Sequence, residues 1–399
     1  MNKHIFFLFL ACFFLPPAFS QTRPDDIHAD AVAHAAPDSA GNSILSLSGY
    51  FNANLTTSRD LVRAFYYWTA TNISYDVENM FTFRSDNDPG KIIMRTLTGR
   101  KAVCEGYSDL FHELCESAGI ESYVVLGYTR QNGQVVAINH AWVVARIDSG
   151  WYFFDPTWAS GAIINGNFTR KFTGEYFMVK PAIFIRTHMP FDPVWQCLYC
   201  PLNSANFARG VMPKTDTCRF FSFPDTIAAY ETLPRSGKSA ATLRRVQQNG
   251  VTNNSIFEYL RYLHQNVEID RANLQNELQN QKVNRFNEAV NHFNAASLLF
   301  NEYIDYWNHQ FRPPRPDARI RNMIDTCNYH LASCRKILDE LVPQEESLRQ
   351  NKEMLQKSLR ENQKHVDDQE AFLRDYFATS KAYRPSLFRK YTWMGIPVK

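Results

Sequence analysis

The sequence predicts an α+β domain in the first half of the chain, followed by an all-α bundle of long helices. Three observations carry this reading. The 399 residues exceed what one compact core usually organises. A helical stretch starting at Cys104 precedes three strand-forming runs, Ser122–Thr129, Val135–Ile147 and Trp151–Thr157. Beyond about residue 250 the strand signal vanishes, and Ile320, Ile324, Cys327, Leu331, Cys334, Leu338 and Leu341 keep an unbroken four-three spacing.

In chain order, residues 1–20 read as a signal peptide. Lys3 and His4 precede the apolar run Ile5–Leu15, and Ala18-Phe19-Ser20 offers small residues for a cut before Gln21. Cys12 lies inside that run, too early to favour lipid attachment. No later stretch reaches about 18 uninterrupted apolar residues, so no membrane span is expected. The mature chain is therefore placed outside the cytoplasm: periplasmic, secreted or at the cell surface. Residues 21–48, rich in Asp, Ala, Ser and Gly, read as a loose leader, with ordered sequence beginning near Leu55. The α+β domain is expected over residues 49–202.

Within it, Thr57 or Ser58 can cap a helix whose apolar face is Leu61, Phe65 and Trp68. The helix from Cys104 presents Tyr107, Phe111, Leu114 and Ala118, and Gly119 stops it. Gln131-Asn132-Gly133 and Asp148-Ser149-Gly150 turn the three strand runs into an antiparallel meander. Residues 203–250 carry the weakest pattern and are taken as a connector. The bundle is expected over 251–380. One helix, with Phe286, Phe293, Phe300 and Trp307, ends at Arg312–Pro316; a second starts at Asp317. A third, after Pro343, carries Leu348, Leu359, Val366 and Leu373. These helices could also hold a protein partner, though heptads more often form a folded core. The aromatic, basic tail over 381–399 is expected to dock back on the protein or to contact a partner.

A formal net charge of +3 is too small and too evenly spread to indicate nucleic acid. Without residues 1–20 seven cysteines remain, an odd number, so at least one thiol has no partner within the chain. Cys197, Cys200 and Cys218 suggest a local disulfide. A zinc site there would need a fourth ligand, such as His188, and no metal is assigned. Cys115, Cys327 and Cys334 read as small buried hydrophobes. No cofactor motif is present.

A nucleophilic thiol needs a lowered pKa, a nearby base and a group that orients the base. Cys104 has the first by position, because the positive end of a helix dipole favours thiolate. His140 and Asp155 are polar breaks in adjacent strand runs. If the connection is Ile147–Gly150, residues 146 and 151 pair and Trp142 faces Asp155. His140 then shares a face with Asp155, about 7–8 Å away diagonally. A three-residue connection would put the two on opposite faces. Taken singly, each has a plainer explanation: a disulfide or core cysteine, a satisfied core histidine, an Asp-Pro turn. Trp142 and Trp158 either line a substrate cleft or pack the core.

Three segments together decide between these readings. Lys101–Ser108 with Ala118-Gly119-Ile120 resembles the nucleophile segment of bacterial transglutaminase-like proteins. Asn139–Trp142 and Trp151–Trp158 resemble that family's histidine and aspartate segments, and Trp68 with Asn72–Asp76 fits its opening. The resemblance spans about residues 55–195. It implies a papain-like core, with the nucleophile's helix packed on an antiparallel sheet, and reactions on protein or peptide amides. No acidic loop resembles the calcium sites of the animal crosslinking enzymes. The expectation is an exported cysteine-dependent amide hydrolase working through a thioester, with Cys104, His140 and Asp155 as its triad. Protein crosslinking by acyl transfer to an amine is the first alternative, and a non-catalytic binding or structural module on the same fold is the second.

Overall fold

The computed structural model describes residues 24–80, 88–212 and 218–389. It divides into two units between Asp270 and Arg271. The expected signal segment, 1–20, lies outside the described residues. Helices α1 (Pro24–His34), α2 (Ile44–Asn54) and α3 (Ser58–Asn72) open the first unit. Thr57 caps α3 through the Asp60 N–H, and Leu61, Phe65 and Trp68 are buried as their spacing predicts.

The stretch read as a loose leader is instead docked. Ala29 and Ala33 of α1 and Leu47 and Phe51 of α2 belong to the main core. The polar residues that suggested looseness make specific contacts: Arg63 donates to both oxygens of Asp30 at 2.6 and 2.8 Å, and Arg59 pairs with Asp26 at 2.7 Å. Alanine hides the periodicity here, because a small buried face carries little hydrophobic signal.

Next come β1 (Ser74–Tyr75), α4 (Pro89–Gly99), β2 (Lys101–Ala102) and α5 (Cys104–Ser117). The parallel pair β1–β2 fixes the chain just before α5, which buries Tyr107, Leu110, Phe111 and Leu114 completely. Against it lie β3 (Ser122–Gln131), β4 (Gln134–Ile147) and β5 (Gly150–Phe154). Then follow α6 (Pro156–Ser160), β6 (Gly161–Ile164), β7 (Asn167–Arg170), α7 (Pro181–Phe184) and β8 (His188–Pro190). The four-stranded sheet has the order β5-β4-β3-β8 and every pairing in it is antiparallel. Asn132 and Gly133, both at positive φ, form the β3–β4 turn. In the next hairpin Arg146 pairs with Trp151, the register that puts His140 and Asp155 on one face. The third strand run stops at Phe154 and not at Thr157. Asp155 caps α6, accepting the Trp158 N–H at 2.9 Å, and Pro156 takes the first helical position.

Residues 203–250, expected as a connector, form α8 (Ser204–Arg209), α9 (Phe223–Glu231) and α10 (Arg235–Asn249). A Cys200–Cys218 disulfide precedes α9. Val246 joins Ile256, Leu260 and Leu263, from the start of α11 (Asn254–Asn308), in a core that also holds Tyr128, Met189 and Phe191. The first unit therefore takes in the opening of the long helix.

In the second unit the rest of α11 packs with α12 (Asp317–Glu340) and α13 (Glu346–Ala378). Neighbours run antiparallel: Arg285 reaches Glu340, His292 reaches His330, and Asn328 meets Gln363. The whole four-three seam from Ile320 to Leu341 is buried. Of the tail, Arg384 docks on Asp317 with two bonds of 2.8 Å, and Phe388 packs against Phe311 and Phe372. Tyr391 and Trp393 lie outside the described residues. Among the described residues no helix is long and apolar enough to cross a membrane.

Gly127 ties the sheet to the site. A Cβ there would lie 2.2 Å from the Met189 carbonyl oxygen and 2.4 Å from the Trp142 ring. Gly127→Ala is expected to destabilise the protein by about 1–3 kcal/mol, the cost of forcing backbone and indole apart. Urea unfolding measures it, and a native midpoint would contradict the close approach.

Candidate active site

Cys104 is the first residue of α5 and remains partly exposed, whereas Cys115, Cys197, Cys327 and Cys334 are buried thiols. The backbone here is pressed against its neighbours. A Cβ on Gly106 would meet Ala102 Cβ and Thr96 Oγ1, each at 2.6 Å, so the glycine allows α5 to start tight against β2 and α4. Its missing side chain makes room on the protein side, not on the approach to the sulfur.

His140 lies on β4 opposite Gly127. Its Nε2 donates to Asp155 Oδ2 at 2.6 Å. The remaining nitrogen, Nδ1, is the one left for Cys104, whose sulfur is near enough to help raise the His140 pKa. Trp158 stacks over the imidazole at 5.5 Å between centroids. Asp155 is completely buried, yet both of its oxygens are used. Oδ1 accepts the Trp158 N–H, and Oδ2 accepts a second imidazole, His188 Nε2, at 3.2 Å. His188 is itself fully buried, stacked on Phe184 at 4.0 Å, with Nδ1 facing Thr187 Oγ1 at 2.8 Å.

Electrostatics follow from this geometry. Burial pulls the His140 pKa down, but the Asp155 charge and hydrogen bond, helped by Cys104, overcome it and push it up to about 10. Burial pushes Asp155 up, and the two imidazoles more than reverse that, holding it well below the usual carboxylate range. His188 goes the other way. Burial, with the His140 charge, lowers it to about 4 despite Asp155. The resting pattern at neutral pH is imidazolium, carboxylate, neutral imidazole.

The structure thus brings Cys104, His140 and Asp155 together. It separates the two tryptophans. Trp142 is fully buried against Phe184 and His188, so it forms the floor beneath the imidazole and offers a substrate no surface. Trp158, partly exposed, covers the ring and can line a cleft. By sequence, His188 is placed only as a possible fourth zinc ligand near Cys197, Cys200 and Cys218. It instead joins Asp155, while Cys200 and Cys218 are disulfide-bonded. Nothing in the sequence around Thr187-His188 marks it, because β8 reaches the site only through pairing with β3. Among the described residues, His140, Asp155 and His188 alone bring three donor atoms close enough for a metal ion, within 4.8 Å. Both Nε2 atoms are already spent on the same carboxylate oxygen.

A thiol at a helix start, beside an imidazole that is hydrogen-bonded to a buried carboxylate, defines a thiol-imidazole site on an α+β fold. The comparisons agree with that class. Residues 46–156 match the transglutaminase-like superfamily, and the chain carries a transglutaminase-like domain there. It is similar to kyphoscoliosis peptidase of Homo sapiens, 31% identical over 168 residues, covering 40% of this chain and 25% of that protein. It is 27% identical over 169 residues to the Lim and transglutaminase domain protein ltd-1 of Caenorhabditis elegans, covering 38% and 22%. Hillarin of Drosophila melanogaster is 25% identical over 219 residues, covering 48% and 26%. The chain spans about a quarter of the length of these curated relatives. A solved structure of a TGase aligns at 22% identity with a TM-score of 0.24, covering 38% of this chain and 35% of that one.

The depressed His188 pKa has a measurable consequence. A histidine is free to protonate near 6.5 when unfolded, but in the folded protein only near 4. The unfolded state therefore binds the extra proton first, and stability falls as pH drops from about 6.5 to about 4. His140 and Asp155 keep the same charge in both states through most of that window. His188→Gln keeps a donor for Asp155 but cannot titrate. Its unfolding free energy is expected to lose less over that interval than the native protein's, by on the order of 3 kcal/mol. Parallel losses in both proteins would mean that His188 is not held neutral.

Proposed function

We propose that this chain is an exported cysteine-dependent amide hydrolase, with Cys104 as nucleophile, His140 as general base and acid, and Asp155 as the group that orients His140. The observation that carries the reading is His140, bonded to Asp155 at 2.6 Å through Nε2, with the Cys104 sulfur near enough to raise its pKa further. In the reaction the Cys104 sulfur attacks a peptide or side-chain amide carbonyl, and its proton resides on His140. Collapse of the tetrahedral adduct breaks the C–N bond, and His140 gives its proton to the departing amine, leaving a thioester. Water then adds to the thioester with His140 taking its proton. The C–S bond breaks, the acid leaves, and the proton stays on His140, as in the resting site. The Cys104 backbone N–H, at a helix start and unused by helical bonding, is the first donor for the oxyanion. His188 and the Trp158 N–H hold Asp155 so that its charge stays directed at His140.

An amine in place of water would make the same thioester a crosslinking intermediate. The relatives include, by name, both a peptidase and a transglutaminase domain protein, so both acceptors belong in one test.

That test is labelling by a thiol-reactive peptide-amide mimic, read by mass spectrometry, alongside product analysis on a glutamine-containing protein with and without a dansylated amine. Label is expected at Cys104 and not at the buried thiols. His140→Ala should slow turnover by roughly 10²–10⁴-fold, the range for a lost general base. Water is the expected acceptor, and dominant amine incorporation would assign crosslinking instead. Equal labelling of native and His140→Ala protein, without product, would make the domain a non-catalytic binding module.

A further inference from the structure

A groove of about 720 Å³ lies in the first unit, between β3 and the helices that follow the sheet. Its volume falls in the range of about 300–1,000 Å³ common for ligand sites. One wall is a continuous run of backbone from Gly119 to Val124, with Leu126; the other carries Trp195, Tyr230 and Tyr259. It is distant from the thiol. Glu116, which lines the groove, is twelve residues along α5 from Cys104, roughly 18 Å at the helical rise.

The first wall is a free strand edge. β8 covers β3 only from Gly127 to Thr129, and Phe191 N–H reaches Leu126 C=O beyond it. The alternation of the β3–β4 ladder, in which Arg146 N–H bonds Glu121 C=O, points the odd-numbered residues of β3 at β4 and turns residues 122, 124 and 126 outward. Ser122 N–H is taken by Glu116 Oε1 at 3.2 Å. Leu126 is covered by Phe191, but Ser122 C=O and Val124 N–H and C=O have no partner among the described residues. Over about 7 Å they offer the donor and acceptors that an added strand uses.

The walls select by charge. Glu116, Glu121, Asp192 and Glu231 line the groove against one lysine, Lys238. Asp192 is neutralised by Arg245, Glu121 by Arg146, and Glu231 by Lys238, but Glu116 has no cation partner among the described residues. Glu116 also stands in the last turn of α5, where the negative end of the helix dipole adds to its attraction for a cation. His112 contributes no positive charge, because burial lowers its pKa. The aromatic wall already holds cations: the Lys238 ammonium and Arg245 guanidinium lie 5.1 and 5.2 Å from the Tyr230 ring.

We propose that this groove is a docking site for an extended, lysine- or arginine-containing peptide segment, which adds as a short strand to the Ser122–Val124 edge and places a cation against Glu116 and the aromatic wall. Backbone pairing supplies affinity, and the alternating side chains supply selection. The site is independent of the thiol chemistry, so it holds whether or not the domain turns over a substrate.

Fluorescence anisotropy of the full chain with labelled hexapeptides tests it. A peptide alternating Lys and Val should bind at least tenfold more tightly than one alternating Glu and Val. N-methylation of one alternate set of its amides should weaken it at least tenfold, and of the other set much less. Val124→Pro removes the outward N–H without removing a ladder bond and should abolish binding. Glu116→Gln should weaken it at least threefold, and alkylation of Cys104 should leave it unchanged. Equal binding of the Lys and Glu peptides would overturn the proposal. So would indifference to N-methylation on the native protein, or a loss on Cys104 alkylation that places the peptide at the thiol.

Discussion

The Asp155 carboxylate is the constraint on which the site depends. A fully buried charge is tolerated only when its lone pairs are met by well-placed donors and a countercharge. Here the donors come from three elements: His140 from β4, His188 from β8 and the Trp158 N–H from α6. Each is fixed by its own element, so the carboxylate records whether strand register, helix start and sheet edge are all correct. Loss of one partner would leave a buried anion under-solvated, which couples the integrity of the local fold to the position of the imidazole.

Glycine makes this convergence possible. Gly127 lets β8 and the Trp142 ring approach β3 more closely than any Cβ would allow, and through β8 it brings His188 to Asp155. Gly106 does the same at the start of α5, where Ala102 and Thr96 close in. Both sites lose chain entropy and side-chain packing relative to alanine. The return is a sulfur and an imidazole held by rigid elements, which suits chemistry that tolerates little misplacement.

Much of this was legible because local signals and long-range geometry agreed. The strand runs, the Asn132-Gly133 turn and the length of the Asp148-Ser149 connection fix a register, and parity alone then places His140 and Asp155 on one face. The seam of α12 was equally plain, since every fourth and third position repeats. The hidden parts share a different character. Helix α1 docks through alanines and ion pairs, which carry almost no periodic hydrophobicity. Residues 203–250 bury a few widely spaced apolar side chains, such as Phe207, Ile227 and Val246, too few to trace a face. His188 sits on a three-residue strand whose meaning comes from its neighbour β3. Trp142 is core and not cleft because His188 of β8 and Phe184 lie against it, a contact that no local pattern encodes.

The two ends of α5 would let one short helix serve the two proposed sites, which differ in charge preference. Its N-terminus, with free N–H groups and positive potential, faces the place where the proposed reaction would form a thiolate and then an oxyanion. Its C-terminal turn carries Glu116 and ends beside the open edge of β3, where the potential is negative and a cation is favoured. The same strand links the two: Gly127 lies opposite His140, and three residues earlier Val124 turns its peptide groups to the groove. A segment docked on that edge would be bonded to the strand that supports the base. The physical connection between the sites is therefore one helix dipole and one strand, with no need for a conformational change to relate them.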